Sequence, residues 1–209
     1  MLHPSANEKM RLFVALELPA SWTKALGEMQ DKIRSQLAEQ LGTEAPRLRW
    51  TRPEGIHLTL KFLGETPGLK SAAIDQALRE SVDGMKSFNL TLGKAGSFGD
   101  RRGPRVLFVD TDGDLDPLLE LARGVDAALG QAGFPRERRA FQPHLTLARL
   151  PEEIPATLRQ RVADIALAAR TPRPGPHHFR EVSLMRSHIE RGGARYECIR
   201  SYKLTLNLG

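Results

Sequence analysis

The tetrapeptide His-Leu-Thr-Leu occurs twice in this chain, first at His57 and again at His144. Each copy lies in an alternating apolar pattern that predicts a β-strand. Alternate side chains of a strand point to the same face of its sheet, so His57 shares a face with Thr59, and His144 shares one with Thr146. The leucines then point to the other face, into a core. If the two strands lie side by side, two imidazoles and two hydroxyls line one cleft.

The pairing of each histidine with a hydroxyl is more informative than the repeat itself. In a leucine-rich chain a short identical segment recurs easily by chance, and a single histidine in a strand is usually an ordinary surface or core residue. Here both histidines are followed two places later by a threonine. The pattern therefore favours a shared chemical site, with two unrelated strands as the alternative.

Composition and charge narrow the class of protein. The 209 residues carry a formal net charge of +6, which favours an anionic partner such as nucleic acid or phosphate, although many basic proteins bind nothing acidic. Cys198 is the only cysteine, which excludes an internal disulfide and fits a reducing cytosol. Residues 1–10 lack the pattern of a secretory leader, and no apolar run reaches the length of a membrane span. We therefore expect a cytoplasmic monomer that does not enter a membrane.

The remaining patterns predict one domain over residues 10–209, preceded by a loose extension over residues 1–9. Its elements follow the order β-α-β-β-α-β-β-α-β-α-β-β, which is an α+β arrangement. Residues 177–187 and 194–208 are predicted as the two closing strands, joined by a turn of two glycines at 192–193. A long helix before each histidine strand suggests two related, pseudo-symmetric lobes.

Further side chains are candidates for contacts with an anionic ligand. Lys61 continues the face of the first histidine, and Arg149 lies just past the end of the second strand. A cation at either position would stabilise a bound phosphate. The aromatic side chain that stacks on a base is expected among Phe13, Trp50 and Phe108, although for Phe13 the pattern favours a core position over such a platform.

Two histidines that face each other can catalyse a displacement at phosphorus without a metal. One neutral imidazole accepts a proton from the attacking water, and one protonated imidazole donates a proton to the leaving oxygen. Histidine suits both roles because its ordinary pKa is about 6.5. Threonine hydroxyls can donate hydrogen bonds to the non-bridging oxygens and stabilise the charge that develops there.

The competing interpretation is a metal site, in which the two histidines and nearby carboxylates hold zinc or another divalent ion. Neither histidine strand carries Asp or Glu at ligand spacing, and the chain has no His-Glu-x-x-His segment. The other four histidines are interpreted as surface residues: His3, His177, His178 and His188. The sequence therefore predicts no metal and no other cofactor.

With these motifs the chain resembles the 2H phosphoesterase superfamily, which is named for two His-x-Thr-x motifs. It looks most like the bacterial and archaeal RNA 2′,3′-cyclic phosphodiesterase branch, once called 2′-5′ RNA ligase. The resemblance covers almost the whole chain, and both motifs match without departure. The matching segments are 11–16, 57–65, 141–149, 183–187 and 193–197.

The resemblance implies a bilobal α+β fold of the LigT-like type, with an antiparallel sheet in each lobe, flanking helices and the active site in the cleft between the lobes. It also implies an enzyme that opens a terminal 2′,3′-cyclic phosphate on RNA without a metal and leaves a 2′-phosphate. Weak joining of cyclic-phosphate and 5′-hydroxyl RNA ends, the reverse chemistry, is implied as well.

Carried over residue by residue, His57 resembles the proton donor to the leaving 3′ oxygen, and His144 resembles the proton acceptor that activates water. Thr59 and Thr146 would hold the phosphate, with Arg149 beside them. Two other functions stay open. One is a nucleotide- or RNA-binding module with a vestigial site, and the other is a phosphodiesterase that acts on small cyclic nucleotides or 2′-5′ oligonucleotides.

Overall fold

A computed structural model describes residues 8–190 and 193–206. Its strands are β1 Lys9–Glu17, β2 Arg49–Trp50, β3 His57–Pro67, β4 Phe88–Asp100, β5 Gly103–Gly113, β6 Leu145–Arg149, β7 His177–Phe179, β8 Glu181–Glu190 and β9 Gly193–Lys203. Its helices are α1 Ala20–Leu41, α2 Ser71–Val82, α3 Leu115–Gln131 and α4 Ala156–Ala168. Residues 1–7, 191–192 and 207–209 lie outside the described residues. They include most of the predicted loose extension, the first glycine of the predicted closing turn and the end of the predicted last strand.

The described strands form two antiparallel sheets, which confirms the predicted α+β class. One sheet has four strands in the order β3-β1-β8-β9, and the other has five in the order β2-β6-β5-β4-β7. The two histidine strands are therefore not hydrogen-bonded neighbours, because β3 is an edge of the four-stranded sheet and β6 lies inside the five-stranded one. They approach each other across the space between the sheets.

Helices cover one face of each sheet and leave the other face for a site. Helix α3 packs against β3, and α4 packs against β4 and β5. Alternation along β1 separates the two environments: Leu12, Val14 and Leu16 join the main apolar cluster with the helices, whereas Phe13 belongs to a small separate cluster on the opposite face. None of the helices in the described part of the chain is both long and apolar enough to cross a membrane.

Both histidine motifs contain a β-bulge at the same place. In β3, Thr59 lies opposite Ala15 and Lys61 lies opposite Val14, so Leu60 is the extra residue between them. In β6, the pairing with β5 skips Leu147 in the same way. A bulge shifts the alternation by one residue, so the side chain three places after each threonine, instead of two, returns to the face of that threonine.

The predicted strand over residues 177–187 is wrong in one respect, because it is two strands. The chain leaves the five-stranded sheet after Phe179 and enters the four-stranded sheet at Glu181, where β8 pairs with β1. The burial pattern shifts phase at the crossing, since Phe179 and Val182 are buried and the two residues between them, Arg180 and Glu181, are both exposed. This phase shift marks a break in the strand, but periodicity does not show which sheet each part joins.

Candidate active site

The two histidines lie at the starts of their strands and belong to one electrostatic environment. His57 is the first residue of β3, and His144 directly precedes β6. A positive charge on His144 lowers the pKa of His57, so the two imidazoles lie within electrostatic reach of each other. The fold therefore brings the histidines of both motifs into one cleft between the sheets.

Both imidazoles are oriented by the same type of hydrogen bond. His57 Nδ1 lies 2.8 Å from the carbonyl oxygen of Gly55, and His144 Nδ1 lies 2.8 Å from that of Gln142. A carbonyl oxygen can only accept, so each Nδ1 carries the hydrogen and donates it. In the neutral ring the other nitrogen, Nε2, is then left with a lone pair, which is the atom that can accept or deliver a proton in the cleft.

Burial keeps both imidazoles neutral at pH 7 in the free protein. Desolvation lowers the pKa of His57 from 6.5 to about 4, against the hydrogen bond to Gly55 and the carboxylate of Glu17, which both raise it. Desolvation is also the main cause that lowers the pKa of His144, and the nearby Arg149 lowers it further. An anion bound between the rings would raise both pKa values.

Two aromatic rings enclose His57. Phe13 stacks on it at 4.6 Å between ring centroids, and Tyr196 meets it edge-on at 4.9 Å. The Tyr196 ring also lies so close to Gly55 that a β-carbon there would be 3.1 Å from it. Phe13 is only 2% exposed, which confirms the core position and contradicts the substrate-binding role as an open platform for a nucleobase; its ring supports that of the histidine.

A second aromatic pair surrounds His144. Phe98 and Phe108 stack at 4.1 Å between centroids, and the edge of His144 lies 4.9 Å from Phe98 and 5.7 Å from Phe108. The Phe108 ring lies across Gly96, where a β-carbon would come within 2.5 Å of it. Only glycine leaves the space for this arrangement, since real β-carbons do not approach that closely. The other predicted platform, Trp50, pairs with Ala148 and packs against the main apolar cluster on the opposite face.

The hydroxyls of Thr59 and Thr146 are available in the cleft. Both threonines are half-buried, and Thr146 lies opposite Phe108 on the face of its sheet that carries His144. Within residues 8–190 and 193–206 neither hydroxyl makes a hydrogen bond, so each can donate one to a bound group. Arg149 is exposed, and the bulge at Leu147 brings it to the face of Thr146.

Lys61 does not face the cleft, so the prediction that it continues the face of His57 is wrong. The bulge at Leu60 turns Lys61 to the core side, where it is 2% exposed. Its Nζ donates to Asp126 Oδ1 at 2.5 Å and to the carbonyl oxygen of Pro135 at 2.7 Å. Lys61 therefore stabilises the fold and lies too deep to contact a ligand.

The sequence missed two residues that the structure brings to the site. Phe62 takes the place predicted for Lys61, with its ring 6.1 Å from that of Phe13 and 61% of its surface exposed. Tyr196 reaches the first motif from β9, and its hydroxyl makes no hydrogen bond to any other described residue. The apolar pattern carried no signal for the bulge that turns Phe62 to the cleft, and the contact of Tyr196 joins strands β9 and β3, which are distant in sequence and at opposite edges of one sheet.

Helix α1 supports the second motif from behind through Gln30, which is completely buried. Its Nε2 donates to the carbonyl oxygen of Leu147 at 2.9 Å and to that of Thr51 at 2.8 Å. Leu147 is the bulge residue, and its carbonyl also accepts the backbone N–H of Thr51 at 2.9 Å. The carbonyl of the bulge residue thus accepts two hydrogen bonds, and a third bond ties Gln30 to Thr51 beside it.

The other histidines that the structure describes lie away from the cleft. His188 Nε2 pairs with Glu197 at 2.8 Å, and His178 lies beside Asn89. Among the described residues, no three His, Cys, Asp or Glu side chains come together as ligands for one metal ion.

Comparison with known proteins gives a family model, named relatives and solved structures that agree with one another. A family model for the 2'-5' RNA ligase superfamily matches residues 30–189. A protein of Methanothermobacter thermautotrophicus named RNA 2',3'-cyclic phosphodiesterase is 27% identical over 94% of this chain and 100% of its own length. The solved structure of TT0787 of Thermus thermophilus has a TM-score of 0.67 at 26% identity, covering 93% of this chain and 98% of that one.

Escherichia coli LigT, solved in complex with 3'-AMP, has a TM-score of 0.65 at 28% identity and covers 95% of this chain and 99% of that one. The family model spans both motifs and most of the chain. These matches confirm the resemblance and the fold class that the motifs predicted. The chain belongs to the 2'-5' RNA ligase superfamily.

Proposed function

We propose that this protein is a phosphoric diester hydrolase that opens a terminal 2′,3′-cyclic phosphate on RNA and leaves a 2′-phosphate. One observation carries the proposal: two imidazoles in one cleft each donate from Nδ1 to a backbone carbonyl and keep Nε2 for chemistry. Relatives over nearly the full chain are named RNA 2',3'-cyclic phosphodiesterase, and LigT was solved with 3'-AMP, which is consistent with a ligand of this class.

In the proposed mechanism His144 Nε2 accepts a proton from water as the water oxygen bonds to phosphorus. The bond between phosphorus and the 3′ oxygen breaks, and His57 Nε2 donates a proton to that oxygen. The products are a 2′-phosphate and a 3′-hydroxyl, with His144 protonated and His57 neutral. Exchange of one proton between the site and water restores the starting state, and no metal is required.

The negative charge of the substrate favours the protonated state of His57 that this proton transfer needs. His57 has a pKa of about 4 in the free protein and is uncharged at pH 7. The cyclic phosphodiester carries a negative charge, which raises the pKa of an adjacent imidazole. Binding of substrate therefore favours the protonated His57 that the reaction needs.

The threonines and the arginine are proposed to hold the reacting phosphate. Thr59 and Thr146 donate one hydrogen bond each to the non-bridging oxygens, from opposite sides of the cleft. Arg149 adds a positive charge on the face of Thr146, where negative charge increases in the transition state. With a 5′-hydroxyl in place of water, the same groups would join RNA ends weakly.

All of these groups come from one chain, which is consistent with a single domain over residues 10–209 that acts as a monomer. The proposal is tested by hydrolysis of a short RNA that ends in a 2′,3′-cyclic phosphate, in excess EDTA. Wild type is expected to yield only the 2′-phosphate, and both His57→Ala and His144→Ala to lose about 10²-fold to 10⁴-fold in rate. Tight nucleotide binding with no turnover would instead favour a binding module, and loss of activity in EDTA would favour a metal enzyme.

A further inference from the structure

Two arginines lie directly opposite each other next to the site. Arg49 on the edge strand β2 pairs in register with Arg149 on β6, and both are exposed. Residues that are directly opposite on antiparallel strands project from the same face, and like charges there repel each other. Neither guanidinium makes an ion pair or hydrogen bond within the part of the chain that the structure describes, so no carboxylate of these residues relieves the repulsion.

The pair continues a row that crosses the site face of the five-stranded sheet. Arg149 lies opposite Val106 in β5, and Val106 lies opposite Phe98 in β4, the ring that touches His144. Arg49 is therefore on the side of Arg149 that points away from this aromatic pair, at the outer edge of the sheet. An anion at Arg49 would lie next to a ligand held in the cleft and outside it.

The chemistry of the proposed substrate supplies such an anion. An RNA that ends in a cyclic phosphate carries its next negative charge on the phosphodiester one nucleotide upstream, whereas a cyclic mononucleotide has no second phosphate. A guanidinium is well suited to that group, because its planar donors match two phosphate oxygens. We propose that Arg49 binds the phosphodiester directly upstream of the cyclic end and so selects oligonucleotides; this inference rests on the proposed function.

The test compares two dinucleotides that end in a 2′,3′-cyclic phosphate and differ only in the link between their nucleosides. One has the natural phosphodiester, and the other has an uncharged methylphosphonate. The ratio of their kcat/KM values isolates the upstream charge, since any loss of folded protein cancels in the ratio. The variants are Arg49→Gln and, as a control, Arg123→Gln, which removes an exposed arginine on the helix that packs behind β3.

We expect wild type and Arg123→Gln to prefer the phosphodiester by about tenfold, the range of one charge-assisted hydrogen bond. Arg49→Gln should lower this ratio to about one. A wild-type ratio near one, or an unchanged ratio in Arg49→Gln, would overturn the inference. If no enzyme turns over either substrate, the proposed function fails, and the same ratio measured as Kd for the matching dinucleotide 2′-phosphates still decides whether Arg49 binds the phosphodiester.

Discussion

At the scale of single residues, the two imidazoles predict an unusual pH dependence. In the free protein the pKa of His57 is lowered to about 4 and that of His144 is also lowered from its ordinary value, chiefly by burial in both cases. Catalysis needs one ring protonated and the other neutral, so kcat/KM should fall about tenfold per pH unit above pH 6.5. In the complex the substrate's charge raises both pKa values, so the fall in kcat should begin at higher pH.

This prediction is checked with pH profiles of kcat and kcat/KM for one cyclic-phosphate substrate. A kcat/KM value that stays constant up to pH 8 would show that the free protein does not hold its histidines neutral at pH 7. His188→Asn is a suitable control, because His188 lies on the β8–β9 hairpin and pairs with Glu197 instead of the site. It should leave both profiles unchanged.

The separate roles of the two histidines lead to a second prediction at this scale. Replacing the 3′ oxygen of the cyclic phosphate by sulfur makes the leaving group a thiolate, which departs without a proton because thiols are much stronger acids than alcohols. His57→Ala should recover most of its lost rate on this analogue, whereas His144→Ala should recover none. The rates are measured by release of thiol, and equal recovery in both variants would contradict the assignment of donor and acceptor.

The strand pattern that put each histidine on one face with its threonine failed to place Lys61, which is buried. Each motif by itself identifies a histidine and a threonine on one face, because residues two places apart in a strand point to the same side. Which side chain follows them on the same face depends on the bulges at Leu60 and Leu147, and neither leucine differs from an ordinary strand leucine in sequence. The cleft therefore receives Phe62 and Arg149, each three places after its threonine.

At the scale of elements, the second motif depends on a helix that never reaches the cleft. Gln30 of α1 donates to the carbonyl of Leu147, the bulge residue, from a fully buried position. In Gln30→Leu this donor is lost, and the buried carbonyl of Leu147 and the half-buried carbonyl of Thr51 each lose a partner, so we expect a decrease of about 1–3 kcal/mol in the free energy of unfolding. Because the bulge presents Arg149, kcat should fall as well.

Urea unfolding and steady-state kinetics of Gln30→Leu measure both effects. Gln76→Leu provides the matched control, since Gln76 lies on α2 and its amide donates only to the exposed Glu80. It should change the unfolding free energy by no more than about 0.5 kcal/mol, and it should leave the rate unchanged. A Gln30→Leu protein that is less stable yet fully active would mean that the bulge does not need this helix.

The elements themselves followed from local patterns, with one exception that has a physical reason. Apolar periodicity predicted the helices and most of the strands, because each buries one face against a core. The chain crosses from one sheet to the other between Phe179 and Glu181, and the alternation shifts phase there across the exposed Arg180 and Glu181. Such a shift indicates a break, but which sheet each strand joins is decided by tertiary packing.

At the scale of the whole molecule, the contacts of one buried lysine join the two motifs. Lys61 follows the first motif in β3, and it donates both to Asp126 on α3 and to the carbonyl of Pro135, in the segment that leads to His144. Burial opposes the charge of Asp126, but the hydrogen bonds from Lys61, the Glu137 N–H and Arg136 prevail and lower its pKa to about 2. No local pattern could have predicted this contact, because its partners are distant in sequence.

Removal of Lys61 takes one of three hydrogen-bond partners from Asp126, which keeps Arg136 and the Glu137 N–H, and it leaves the carbonyl of Pro135 without its ammonium donor. Lys61→Met should therefore lower the free energy of unfolding by about 1–3 kcal/mol, and it should also lower kcat because the approach to His144 loses an anchor. Lys70→Met is the control, since Lys70 reaches the neighbouring carbonyl of Gly133 from an exposed position. That variant should change stability by less than about 1 kcal/mol.

The double variant Lys61→Met with Asp126→Leu separates the effect of charge from the effect of position. An apolar pair removes the half-buried carboxylate together with its lost lysine, and the exposed Arg136 and Glu137 can bond to water instead, so it should recover much of the stability that Lys61→Met alone loses. The hydrogen bond to Pro135 stays absent, however, so kcat should remain as low as in Lys61→Met. Recovery of stability and kcat together would mean that the buried charge, rather than the link to the second motif, limits the activity of the single variant.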